Sequence, residues 1–326
     1  MTEFSNYITQ LNNIISGRRG AELARHMALP LGPAPRGNGV PLNQVHKQVL
    51  DRAKSTDVGR YCASNISDSQ LAALVGNHLS ALKAFVSDSD HGNTYKYQHA
   101  VYNILLDYMS SQQGESDPIW VIPVLTRVSN DLRLVAEMAD ESTPPAAADQ
   151  GAVRESLQSL TKGFTLVAKD RTAITSTSPR PRRLAIFAVT NILLKIYFKV
   201  HTLQLCEKLI RVVEGPGSIM ENLHLFPVCD VVTYKYYVGR LRMFEDKYEE
   251  AIECLRFAFK HTPKKSLRNG QRILLALLPM EMSVNGLLPR TEVGSVYGLH
   301  QLVDIGAAAR AGDIRRFETL LEENQR

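Results

Sequence analysis

Residues 234–263 read YKYYVGRLRMFEDKYEEAIECLRFAFKHTP, and their spacing decides the fold. Gly239 sits where two helices have to approach closely. Tyr248 and Ala251 follow and open a second helix, with Leu255, Ala258 and Pro263 at the later packing and stop positions. A small residue lets neighbouring helices touch and a large one fills the groove between them. Proline ends the pair, because it has no N–H to donate and clashes with the preceding turn. These residues predict a helical hairpin of the tetratricopeptide type, with helices over 230–244 and 248–261 and a turn at Glu245, Asp246 and Lys247.

Weaker copies of the spacing flank this hairpin. Leu203, Cys206 and Ile210 repeat the intervals of Tyr248, Ala251 and Leu255 one unit earlier, and Ile314, Phe317 and Leu321 repeat them after Gly312-Asp313. A helix pair cannot bury both faces alone, so the units are expected to stack into a curved solenoid with an extended binding face. Upstream, apolar residues at three- and four-residue steps predict helices over 69–85, capped by Ser67 or Asp68, and over 96–109, 118–138 and 153–167. Helices over 183–200, broken at His201-Thr202, and over 268–282 complete the pattern. No stretch shows sustained strand-like alternation between hairpin turns, and the chain reads as all-α.

Two stretches interrupt it. Residues 29–41 hold Pro30, Pro33, Pro35 and Pro41 with Gly32, Gly37 and Gly39, which breaks helix and strand alike. Residues 140–151, with Thr143-Pro144-Pro145, read as an exposed joint. Two regions follow: an N-terminal helical region over 1–150 carrying the 29–41 linker, and a repeat region over 151–326.

The composition fits a folded chain: 326 residues, 44 % hydrophobic and 22 % charged, with a mildly basic net charge of +5. Cys62, Cys206, Cys229 and Cys254 lie far apart with no paired spacing, which argues against a disulfide framework or zinc site and suits a reducing compartment. Residues 1–19 are polar and interrupted, without a signal-peptide stretch. Apolar runs such as 273–278 fall far short of the roughly 20 residues that span a bilayer. An intracellular, soluble protein is expected.

Enzymatic motifs are missing. Gly215-Pro216-Gly217 lacks the glycine and lysine of a phosphate loop, the histidines show no metal-binding spacing, and no GxSxG elbow occurs. No catalytic residue, metal ligand or cofactor is expected. A hydrolase in the N-terminal half is a remote alternative without a nucleophile–base spacing to support it.

Charge points elsewhere. Arg256, Lys260, Lys264, Lys265, Arg268 and Arg272 form a run with no acidic residue inside it. Such a run makes salt-dependent phosphate contacts, or it is a solvated helix end where Lys264 and Lys265 complement the carbonyl-rich terminus of the preceding helix. The nucleic-acid candidates are Lys264, Lys265, Arg268 and Arg272, with a second knot at Arg180, Arg182 and Arg183 between prolines. Tyr234, Tyr236 and Tyr237 could stack bases, but successive helical residues turn by about 100°, so packing is expected for at least one of them.

Residues 191–199 (NILLKIYFK), 232–240 (VTYKYYVGR) and 269–289, with Arg272-Ile273-Leu274 and Leu278-Pro279, resemble one family of PCI-domain proteins. Ala311-Gly312-Asp313-Ile314 followed by Phe317 resembles the late helical motif of PCI domains in general. The family is that of the PCI subunit of the nuclear mRNA-export complex two, with relatives known as subunit-twelve homologues of the COP9 signalosome. The resemblance is strong over 170–326 and loose before it. It implies a PCI-type helical solenoid ending in a winged helix, a large scaffold partner, a small acidic partner of the Dss/Sem type, and a share in nucleic-acid binding. It also implies a nuclear, pore-associated location with a cytoplasmic share. A signalosome-associated subunit without a nucleic-acid role is the alternative. The sequence ends at Gln325-Arg326, directly after the Gly312-Asp313 helix, so a fold truncated before the winged helix is expected.

Overall fold

The computed structural model describes residues 3–31, 57–111, 119–142, 151–170, 182–215 and 219–324. Among them are fifteen α-helices and no strand, the all-α fold expected. The chain divides into two compact units, one ending at Ile196 and one beginning at Tyr197.

The N-terminal unit starts with α1 (Glu3–Ser16) and α2 (Gly20–His26). The polar residues of α1 alternate with a buried stripe of Phe4, Tyr7, Ile8, Leu11, Ile14 and Ile15. Then come α3 (Val58–Asn65), α4 (Ser69–Val86), α5 (His91–Ser111), α6 (Ile122–Glu141) and α7 (Ala152–Ala168). Each helix from α3 to α7 packs on the next, and α5 also meets α7. Asp68 caps α4, accepting from the Gln70 and Leu71 N–H groups. Helix α5 begins five residues before the expected 96, because the Asp90 carboxylate accepts the Asn93 N–H and nucleates the first turn there.

Carboxylates fasten this unit across its breaks. Asp140, in the last turn of α6, accepts the Ala152 and Val153 N–H groups at 2.6 and 3.0 Å and so caps α7. A Cβ on Gly151 would lie 2.7 Å from Asp140 Oδ2, which is why glycine stands there. The joint expected over 140–151 is therefore crossed by hydrogen bonds. Helix α7 packs on α5 and α6, within the unit that ends at Ile196. Likewise Asp170 accepts the Arg182 N–H at 2.7 Å. Of the 29–41 linker only the first residues are described: Leu29 donates its N–H to Asp131 Oδ2, and its carbonyl accepts from Arg127 Nη2.

Helix α8 (Ile186–Lys199) runs through the unit boundary, and positive φ at His201 ends the turn after it. In the C-terminal unit follow α9 (Gln204–Glu214), α10 (Val228–Phe244), α11 (Tyr248–His261) and α12 (Leu267–Asn285). Then come α13 (Thr291–Tyr297), α14 (His300–Ala311) and α15 (Ile314–Glu323). The α10–α11 hairpin lies where the repeat spacing places it. A Cβ on Gly239 would stand 2.7 Å from Leu255 Cγ and 3.2 Å from the Ala251 carbonyl oxygen, so only glycine lets the helices meet this closely. Ala251, Leu255 and Ala258 are fully buried against Ile273, Leu274 and Leu277 of α12. Thr262, before Pro263, adopts the extended backbone that a following proline enforces and ends α11.

Two expectations change here. Tyr248 does not fill a groove. At the first position of α11 it is 38 % exposed, and its hydroxyl donates to Asp246 Oδ1 at 2.7 Å. In the flanking copies Cys206 and Ile210 are buried, but Ile314 is 70 % exposed and no residue of α15 is buried. Among the described residues the apolar stripe of α15 is only partly covered: Phe317 is half-buried, while Ile314 and Leu321 are exposed.

Two outcomes follow. Gly239→Val should cost about 2–3 kcal/mol in urea unfolding through overpacking, and Leu255→Ala in the same chain should recover part of it. Equal stability of the single variant and wild type would contradict the close approach. Burial pushes the Asp131 carboxyl from 3.8 up to about 6, outweighing Arg127 and the Leu29 N–H. A carboxyl with a raised folded pKa favours the fold when protonated, so its contribution is full below pH ~4 and is lost as pH rises through ~6. Relative to Asp131→Asn, wild type should lose about 3 kcal/mol between pH ~4 and pH ~7.5.

Candidate interaction surfaces

The basic run sits at the corner between α11 and α12. Lys260 lies in the last turn of α11, Lys264 and Lys265 occupy the turn held by the Ser266 N–H to the Pro263 carbonyl, and Arg268 and Arg272 lie one turn apart on α12. All five are exposed, and none has a carboxylate partner among the described residues. Arg256 does not belong to this set. Its guanidinium grips Glu281 of α12 with two hydrogen bonds, one of them from Nη2 at 2.7 Å. Burial alone would raise the Glu281 carboxyl, but the Arg256 and Asn285 hydrogen bonds hold it below the usual glutamate range. The run therefore presents five free cations rather than six. His261 lies against the Phe257 ring at 4.1 Å beside them.

Arg182 and Arg183 are half-buried and belong to the N-terminal unit, whereas the corner belongs to the C-terminal one. Arg180 lies outside the described residues. The three tyrosines separate as helical geometry requires. Tyr234 is core, its hydroxyl donating to Glu214 Oε1 at 3.1 Å, while Tyr236 and Tyr237 are half-buried. Arg242, nearby on α10, joins Glu207, Glu245 and Glu250 at 3.0, 2.6 and 3.1 Å and ties α9, the hairpin turn and α11 together.

Sequence reasoning missed one cluster, because its members lie on different helices. His99 of α5 has Nε2 2.7 Å from Ser159 Oγ and Nδ1 3.6 Å from Glu155 Oε1, both on α7, beside a groove of about 490 Å³. Tyr95 stacks on the His99 ring and donates its hydroxyl to Glu155 Oε2 at 2.9 Å. Burial lowers the His99 pKa against the pull of Glu155, favouring the neutral ring. The order serine–histidine–carboxylate is that of a nucleophilic relay, but Ser159 lies inside α7, whose N–H groups bond within the helix. Nothing in that backbone serves a developing oxyanion. The cluster fastens α5 to α7. Among the described residues no group of three or more His, Cys, Asp or Glu could hold a metal ion, and no helix is long and apolar enough to cross a membrane.

Consecutive helices packed on one another, as α10 on α11 and α11 on α12, are the architecture of helical-repeat folds. No protein-family model matches the chain. Individual proteins do. A PCI domain-containing protein 2 homolog of Dictyostelium discoideum is 29 % identical over 292 residues, covering 87 % of this chain and 64 % of the relative. PCI domain-containing protein 2 of Danio rerio is 29 % identical over 314 residues, 88 % of this chain and 75 % of that protein. A protein named CSN12 homolog, from Neurospora crassa, is 25 % identical over 232 residues, 65 % of this chain and 50 % of its own length. The chain thus spans about half to three quarters of the relatives it matches. Over most of its length it is similar to PCI domain-containing proteins.

Removing Arg256 leaves the buried Glu281 carboxylate with Asn285 alone. Arg256→Ala should lose about 1–2 kcal/mol in denaturant unfolding, a figure discounted because Arg256 is half-exposed. Lys264→Ala should stay within about 0.5 kcal/mol of wild type. Equal effects of the two would contradict the division between structural and free cations.

Proposed function

We propose that the chain is a non-enzymatic scaffold subunit of a nuclear, transcription-coupled mRNA-export complex. It binds a large scaffold chain and a small acidic protein of the Dss/Sem type, and it adds nucleic-acid contacts to the assembly. The PCI family and the helical-hairpin architecture support the scaffold role. The observation that carries the nucleic-acid role is the corner of Lys260, Lys264, Lys265, Arg268 and Arg272, five exposed cations without a carboxylate partner among the described residues. Such cations are free to neutralise phosphates and release counterions, a contact without sequence preference. Arg180, Arg182 and Arg183 form a second contact in this proposal. The location is nuclear, at the pore, with a cytoplasmic share.

The name of the Neurospora crassa relative favours a second reading, a signalosome-associated PCI subunit without a nucleic-acid role. Co-purification separates the two: nucleoporin-linked export factors support the first and signalosome subunits the second.

In the assembled complex, Lys264→Glu, Lys265→Glu and Arg268→Glu together should weaken single-stranded RNA binding at least about tenfold at low salt. The slope of log K against log salt should fall by about 2. Unchanged affinity and slope would remove the corner from the nucleic-acid interface.

A further inference from the structure

A second surface of the C-terminal unit is built differently from the basic corner. Phe198, in the last turn of α8, meets Tyr237 of α10 with ring centroids 5.2 Å apart and Phe244 at 6.3 Å. Tyr236 and Tyr237 meet edge-on at 5.2 Å. The Arg240 guanidinium lies 4.7 Å from the Phe198 centroid and 5.6 Å from that of Tyr236. Tyr236, Tyr237, Arg240 and Phe244 recur at helical steps along one stripe of α10. Phe244 is 55 % exposed, and Val200, two residues beyond Phe198 in the chain, 48 %. Arg240 has no carboxylate partner among the described residues, unlike Arg242 two positions on, which has three.

We infer that this stripe is the docking site for a segment of a partner chain that carries an acidic side chain flanked by apolar ones. The inference rests on the scaffold reading and deepens it by assigning a surface and a partner chemistry. Arg240 supplies the charge argument. A guanidinium resting on two rings is permanently charged and already restricted in rotamers, so pairing with a carboxylate loses little further freedom. The incoming carboxylate can be held by two parallel hydrogen bonds. Phe244 and Val200 then supply exposed apolar area beside the charge. Tyrosine and arginine at the centre of a partly desolvated patch are the composition of an interface hot spot. Nucleic-acid bases fit less well. Stacking needs open ring faces, whereas Arg240 covers a face of Phe198 and the two tyrosines meet edge to face.

The test uses the full chain and a short fluorescein-labelled peptide of Glu, Leu and Phe, read by anisotropy. A peptide with Lys replacing Glu and a labelled oligouridine serve as the competing ligands. Saturable binding of the acidic peptide is expected, weakened at least about tenfold by Arg240→Glu and by Phe244→Ser. Arg240→Glu should also shift preference towards the Lys peptide, an outcome that simple unfolding cannot produce. Lys264→Glu with Lys265→Glu should leave acidic-peptide affinity within about twofold. The inference is overturned if the acidic peptide fails to saturate, or if the Lys264/Lys265 variant loses as much as Arg240→Glu. It is equally overturned if oligouridine is the ligand that Arg240→Glu and Phe244→Ser release. Because binding is measured on the isolated chain, its failure leaves the co-purification result standing, and the reverse holds too.

Discussion

The C-terminal unit depends on one residue having no side chain. Gly239 lets α10 settle onto α11 at a distance where even a Cβ would strike Leu255 Cγ and the Ala251 carbonyl. Mid-helix glycine costs about 1 kcal/mol against alanine, so it is tolerated only where the packing gained is larger. With the two helices in contact, Leu255 and Ala258 turn inward and meet Ile273, Leu274 and Leu277. That fixes where α12 lies. The α11–α12 corner, with its exposed lysines and arginines, is then a consequence of the same contact. So is the outward stripe of α10, because burying Tyr234, Val238 and Leu241 leaves Tyr237, Arg240 and Phe244 on the other side.

The N-terminal unit solves a different problem, that of breaks in the helical pattern. Asp131, Asp140 and Asp170 each accept a backbone N–H from beyond a break or at its near edge. A carboxylate there satisfies donors that a helix start or a loop would otherwise leave open. Asp131 does so at the expense of its own desolvation, which is why its pKa rises. His99, Ser159, Tyr95 and Glu155 bind α5 to α7 by the same means, with polar groups meeting between helices instead of at their ends.

Much of this was legible in the sequence where local rules govern. The hairpin at 234–263, the bounds of α11, and the cap at Asp68 follow from spacing, proline and a short acidic side chain. Helix α1 was equally readable, since Phe4, Ile8, Leu11 and Ile15 recur at helical steps, but the polar residues between them masked the stripe. What periodicity cannot express is partnership at a distance. Arg256 reads as one more cation in a basic run, and only Glu281 on the next helix removes it. Tyr248 and Ile314 have the repeat spacing, yet exposure depends on whether another helix arrives to cover them. The same limit hid the contact of Arg240 with Phe198, which comes from a different helix.

Hydrogen exchange on the full chain tests the central constraint most directly. If the Gly239 contact organises the C-terminal unit, amides of α10 and α11 around Val238, Leu241, Ile252 and Leu255 should exchange slowest there, orders of magnitude slower than those of the partly covered α15. Protection in α10 and α11 no greater than in α15 would contradict the account.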